Sequence, residues 1–297
     1  MWMVAARRTV SVATRGTVRA VVGSQAWQGP SAARAVRVVS IMAVGGAGVL
    51  AHRRLLFRQL FDEDSFTYTY LLSDTADPTR SCVIIDPVDI WAERDSQLVR
   101  ELALQPMWLM NTHVHADHIT GTGILKTRYF PDAKSVLAVV SGGKADKYLD
   151  HMERLSFGDF EIEARSTPGH TNGCMTYVVY PPADQESDAP VLPLMAFTGD
   201  ALLIRGCGRT DFQQGSAATL YKSVHEQIFT LPDDTALFPA HDYKGRTVTT
   251  VGEEKVHNPR LTLSEGRFVD LMATLNLPYP KKIDASLPAN LVCGLQD

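Results

Sequence analysis

The chain has 297 residues with 45% hydrophobic and 21% charged content, ordinary globular proportions that exclude a wholly disordered or fibrous protein. The net charge of -4 hides an asymmetry: residues 1 to 60 hold nine arginines, no lysine and no acid, so the rest carries about 13 more acids than bases. A body that acidic lacks the basic footprint that nucleic acid or an anionic membrane surface needs, and neither is expected as a partner.

The first acid is Asp62, and the chain before it is rich in Arg, Ser, Thr, Ala and Val, the composition of an organelle transit peptide. Residues 1–54 are therefore expected to be a removable leader addressed to mitochondria, although a plastid address fits the same composition, and residues 55–297 to be the folded domain. Ile41 to Leu50 is apolar but only ten residues long, too short to cross roughly 30 Å of hydrocarbon, so no membrane span is expected. The four cysteines (82, 174, 207, 293) lie far apart without a C-x-x-C pair and do not form a disulfide framework; reduced thiols fit an intracellular compartment.

From Leu55 onward, short apolar runs alternate with helical stretches. Phe66 to Leu72 and Cys82 to Ile85 read as strands joined through a turn at Asp77-Pro78. Asp95 or Ser96 is expected to cap a helix that turns Leu98, Val99 and Leu102 inward. Further strands are expected at Met107–Met110, Ser135–Val140, Phe160–Ala164, Met175–Tyr180, Leu194–Thr198 and Ala236–Phe238, with helices at Ser216–Phe229 and Ser264–Leu275 and a surface loop at Pro181–Pro193. Mixed strands and helices without strict βαβ alternation imply two sheets sandwiched between helices, an α+β, αββα arrangement.

Directly after the apolar run Met107 to Met110 come His113-Val114-His115-Ala116-Asp117-His118, three imidazoles and a carboxylate in six positions. These are the ligands that hold Zn, Fe or Mn, and a loop leaving a strand aims several at one point. Three more candidates occupy matching places past apolar strands: His170 in Thr167-Pro168-Gly169-His170-Thr171, Asp200 after Thr198-Gly199, and His241 after Pro239-Ala240. Ligands on loops at the same ends of successive strands converge over one sheet edge.

The order HxHxDH, P-G-H-T, T-G-D and a late A-H resembles the metallo-β-lactamase superfamily over roughly residues 55 to 297, which implies an αββα four-layer sandwich with its site at one edge. Gly206-Cys207-Gly208-Arg209-Thr210-Asp211-Phe212-Gln213 and Pro239-Ala240-His241-Asp242-Tyr243-Lys244-Gly245 are similar to the persulfide (sulfur) dioxygenase branch. Glyoxalase II also carries G-C-G-R but continues toward a phenylalanine-glutamate pair and has a longer helical C-terminal tail. The resemblance implies oxidation of glutathione persulfide by O2 and water to glutathione and sulfite, in mitochondrial hydrogen sulfide catabolism, and a homodimer is compatible with it.

The iron ligands it implies are His113, His170 and Asp200, holding one Fe(II) per subunit. Two imidazoles and one carboxylate leave about three of six positions open, as an O2-activating iron requires. In binuclear relatives His115, Asp117, His118 and His241 complete one metal site and build a second, with Asp200 bridging, so the sequence also permits two zinc ions. In the mononuclear case these four orient the ligands and handle protons. Arg209, Tyr243 and Lys244 are expected to bind the carboxylates of glutathione. The alternative function is a glyoxalase II-type hydrolysis of hydroxyacylglutathione thioesters by two metals and a bridging hydroxide.

Overall fold

The run Ser81–Ile85 is buried along its whole length, which requires something packed on both of its faces. The computed structural model, which describes residues 52–183 and 189–295, supplies that packing as two six-stranded sheets. The first sheet runs, in order, β1 (Leu55–Asp62), β2 (Thr67–Asp74), β3 (Ser81–Ile85), β4 (Gln105–Met110), β5 (Lys134–Ala138) and β6 (Lys147–Leu149). β1 to β3 form an antiparallel meander, and β3 to β6 are parallel neighbours. The second sheet contains β7 (Arg154–Phe157), β8 (Phe160–Ser166), β9 (Met175–Tyr180), β10 (Met195–Gly199), β11 (Ala236–Pro239) and the short β12 (Thr249–Thr250). Its spatial order is β12-β11-β10-β9-β8-β7, with the β10–β11 pair parallel.

Helices cover the outer faces: α1 (Ala92–Glu101), α2 (Thr122–Ile124), α3 (Ala217–Ser223), α4 (Val251–His257), α5 (Glu265–Ala273) and α6 (Ile283–Leu291). α2 and α3 each run on into a π-helical turn, Leu125–Tyr129 and Val224–Ile228. Alternation along the strands divides the core. Val83 and Ile85 face the space between the sheets with Tyr70, Phe197 and Phe238, while Cys82 and Ile84 meet Val99 of α1 and Leu125. On the far side Val178, Ala196 and Leu237 pack against Leu220, Val224 and Phe268. Each large apolar side chain so buried contributes roughly 1.5–3 kcal/mol, so a strand buried on both faces reads as a continuous hydrophobic run rather than an alternating one.

The expected αββα sandwich is therefore the observed one, and most expected strands occur within two residues of their anticipated limits. The Ser216 cap is present: its side chain accepts from the Thr219 amide. The expected cap at Asp95 or Ser96 is not. α1 starts at Ala92, following a single 3-10 turn at Asp89–Trp91, and Asp95 and Ser96 are buried inside it. Trp91 donates its indole N–H to Asp62 and Arg94 bonds the Phe61 carbonyl, so tertiary contacts draw the helix start forward. Most of the expected leader, residues 1–51, and part of the Pro181–Pro193 loop lie outside the described residues. Among the described residues no helix is long and apolar enough to cross a membrane.

Candidate metal centre

The loop leaving β4 is organised from below by a carboxylate. Asp86 follows β3, is buried, and holds a left-handed backbone (φ 51°). It accepts from the Thr112 amide (2.7 Å), the Thr112 hydroxyl (2.8 Å) and His115 Nε2 (3.0 Å). Because the Thr112 hydroxyl donates to Asp86, its lone pairs face His113 Nδ1 (3.0 Å), which must carry the proton. His113 therefore presents a bare Nε2, and His115, donating through Nε2, presents a bare Nδ1. Burial, reinforced by the neighbouring imidazoles, pushes both rings well below the usual imidazole range. Both are neutral, the form in which a histidine binds a metal.

His170 and Asp200 arrive from the carboxyl ends of β8 and β10. His170 Nδ1 donates to the Arg209 carbonyl (2.7 Å), which turns Nε2 toward Asp200 at 3.6 Å. Gly208 seals the arrangement: its amide donates to the Asp200 carbonyl (2.7 Å), and a side chain there would meet Asp200 and His170 at 3.0 Å or less. The ligand atoms of His113, His170 and Asp200 lie within 4.8 Å of one another. Those of His115, Asp117, His118 and His241 form a second group by the same measure.

In the second group the Asp117 carboxylate is shared between His118 Nδ1 (3.1 Å) and His241 Nε2 (3.4 Å), and Thr67 Oγ1 lies 3.3 Å from the Nδ1 atoms of both rings. Burial opposes charge on both Asp117 and His241. Attraction between them outweighs it, so Asp117 is held well below the usual carboxylate range and His241 above the imidazole one. Across the two groups His113 Nε2, His115 Nδ1, His118 Nε2 and Asp200 Oδ1 are buried without a hydrogen-bond partner. Unpaired buried acceptors are costly, and their convergence fits a divalent metal.

A cavity of about 700 Å³ opens over His170, Asp200 and His241. Seven of its lining residues are Arg or Lys (205, 209, 244, 246, 260, 281, 282) against four aspartates (64, 117, 200, 242), so it favours an anionic ligand. The three residues expected to bind substrate are all at this cavity. Tyr243 is exposed and its ring lies parallel to that of His241 at 6.3 Å, packed on Phe66 at 5.3 Å. Lys244 is beside it. Arg209 is committed more deeply than anticipated: its Nε and Nη2 grip Asp211 at 2.7 Å each, its Nη1 donates to the Pro278 carbonyl, and it stacks on Phe212.

Sequence reasoning missed Asp86, Thr67, Gln213, whose amide donates to the Val114 carbonyl, and Asn290, which bonds the metal loop from the C-terminal helix. Asp86 had a local signal, an acid closing a fully buried strand. Gln213 closes the glycine-cysteine motif but its partner there was not readable, and Thr67 and Asn290 have no local signal, because their partners are distant in sequence.

No family model matches the chain. It is 53% identical over 242 residues to the mouse protein named "Persulfide dioxygenase ETHE1, mitochondrial", covering 82% of this chain and 90% of that one. The crystal structure of ETHE1 from Myxococcus xanthus superposes with a TM-score of 0.73 at 46% identity, over 81% of this chain and all of the other. A metallo-β-lactamase from Staphylococcus aureus superposes at 0.71 with 22% identity, over 83% of this chain and 74% of its own, a likeness of fold.

Proposed function

The chain belongs to the persulfide dioxygenase family, and from that premise we propose that it oxidises glutathione persulfide with O2 and water to glutathione and sulfite, using one Fe(II) per subunit held by His113, His170 and Asp200. The observation that carries the reading is the buried two-imidazole, one-carboxylate group with unpaired His113 Nε2 and Asp200 Oδ1, of which His170 and Asp200 line the cation-rich cavity. His113, His170 and Asp200 would hold the iron, and iron held there would supply the activation of O2.

The chain's own residues do the rest. Asp86 and Thr112 fix the His113 tautomer, and the Arg209 carbonyl fixes that of His170. His241 Nε2, 3.4 Å from Asp117 and 3.7 Å from Asp200, stands where it can pass a proton beside the ligands. Lys244 and Tyr243 at the cavity receive the carboxylates of glutathione, and Arg209 adds charge while Asp211 holds it in place. His115, Asp117 and His118 serve the site by orientation: the Asp117 carboxylate is already divided between two imidazoles.

The same reading puts the enzyme in the mitochondrial matrix with residues 1–54 as its leader, supported by their acid-free, arginine-rich composition and by relatives whose names include "mitochondrial". Incubating the purified protein with glutathione persulfide tests the reaction. O2 uptake matched by sulfite is expected; hydrolysis of S-lactoylglutathione without O2 uptake would replace this reading with the thioester hydrolase.

A further inference from the structure

The histidine loop is held from the far end of the chain. Asn290, in the last turn of α6, is buried, and its carboxamide makes three hydrogen bonds of 2.8 Å: Nδ2 donates to the carbonyls of His115 and His118, and Oδ1 accepts from the Thr120 amide. Two N–H groups and one carbonyl are all that the side chain offers in its plane, and each is used on one six-residue stretch. Among the described residues no backbone amide donates to either of those carbonyls. Around this clamp the two segments are in contact: the Gly123 amide donates to the Cys293 carbonyl (2.9 Å), and Gly294 (φ 75°) lies against Thr120 so closely that a side chain there would strike its carbonyl oxygen.

We propose that Asn290 is a positioning residue for the metal centre, setting the curvature of the loop that carries His113, His115 and His118. The loop must turn its imidazoles one way while its carbonyls point the other, and two carbonyls without donors would rotate the peptides that aim those rings. The residue type is specific. Aspartate has the shape but no donors, and glutamine is one methylene too long for a buried site with three fixed partners. The inference rests on the metal-centre reading, not on the persulfide reaction.

The test uses the full chain stripped of metal and titrated with Co(II), whose visible absorption reports its ligands. Asn290→Ala is expected to raise the Co(II) dissociation constant about 10- to 100-fold and alter the visible band, in line with the loss of a group that orients ligands. It should also lower kcat for persulfide oxidation with KM unchanged, because the cavity wall at residues 277–283 is not altered. Asn290→Asp keeps the acceptor for Thr120, removes both donors, and is expected to show the same cobalt defect. Ser286→Ala, also buried in α6 and without a hydrogen-bond partner, should leave cobalt binding unchanged. Normal cobalt affinity and spectrum in both Asn290 variants would overturn the proposal, as would failure of both to fold, which would make the residue a structural one. No cobalt binding by the wild type would instead refute the metal-centre reading itself.

Discussion

Gly208→Ala should disable the metal centre without unfolding the protein. A methyl group at Gly208 would stand 2.6 Å from the Asp200 carbonyl oxygen, 2.9 Å from Asp200 Cβ and 3.0 Å from His170 Nδ1. Relaxed contacts need roughly 3.5 Å, so about 0.5–1 Å of displacement must be absorbed between two proposed ligands. Moving the glycine loop away is no escape. It would stretch the Gly208 amide bond to Asp200 and pull the Arg209 carbonyl from His170 Nδ1. Functional constellations tolerate about 0.5 Å, so metal affinity should fall about 10- to 100-fold, or about 1.4–2.7 kcal/mol. Overpacking adds about 1–3 kcal/mol to the folding cost, a loss of some degrees in Tm. Metal per chain after dialysis, read beside thermal unfolding, is the assay. Gly266→Ala is the control: it lies in α5 with nothing near its would-be side chain and should stabilise by about 0.5–1 kcal/mol. Full metal content in Gly208→Ala would refute the placement of Asp200 and His170 at the centre.

Asp86→Asn places an amide N–H₂ where the Thr112 hydroxyl now donates, reversing that hydroxyl and forcing the proton on His113 to the other nitrogen. Metal affinity is expected to fall about 10- to 100-fold with about 1–3 kcal/mol of stability, measured by metal titration and thermal melts. Lys244→Ala should raise KM for glutathione persulfide with kcat nearly unchanged, since it removes binding common to ground and transition states; steady-state O2 uptake decides this. Burial pushes the Cys207 thiol up to about 11, so less thiolate is present at pH 8 than in an ordinary cysteine, and alkylation of the native protein should be slow there and accelerate only as pH approaches 11. Peptide mapping after iodoacetamide at a series of pH values checks this, and rapid labelling at pH 8 would contradict it. In acid, Glu163 is held below the usual carboxylate range: burial alone would raise it, but hydrogen bonds from Arg154 and Arg165 win. Its stabilising share is therefore present above the unfolded-state pKa and lost as pH falls through the folded one, so Glu163→Gln should flatten the acid limb of the stability curve.

The layering was legible because burial leaves period and composition in the chain. Cys82 to Ile85 has no polar position since both faces of β3 are covered, and Leu220, Val224 and Ile228 mark the one face of the α3 segment that is buried. The candidate ligands were legible because His113, Asp200 and His241 follow within three residues of the ends of β4, β10 and β11, and His170 sits in a Pro-Gly turn four residues past β8. β6, β7 and β12 are only three, four and two residues long, too short for a period of two to stand out, although Arg154-Leu155-Ser156-Phe157 does alternate exposed and buried positions. What supports the ligands was largely invisible. Asn290 binds carbonyls 172 and 175 residues away, and Thr67 reaches His118 and His241 across 51 and 174 residues, so no local spacing records either. Arg209 misled in a different way. Its fork suits a carboxylate, but the nearest carboxylate is Asp211, two residues on.

Metal analysis tests most directly whether His113, His170 and Asp200 hold a single iron. Protein purified without added metal should contain about one iron per chain, and Asp200→Ala should lose that iron together with O2 uptake while its fold survives. Two zinc ions per chain, or undiminished iron in Asp200→Ala, would contradict it.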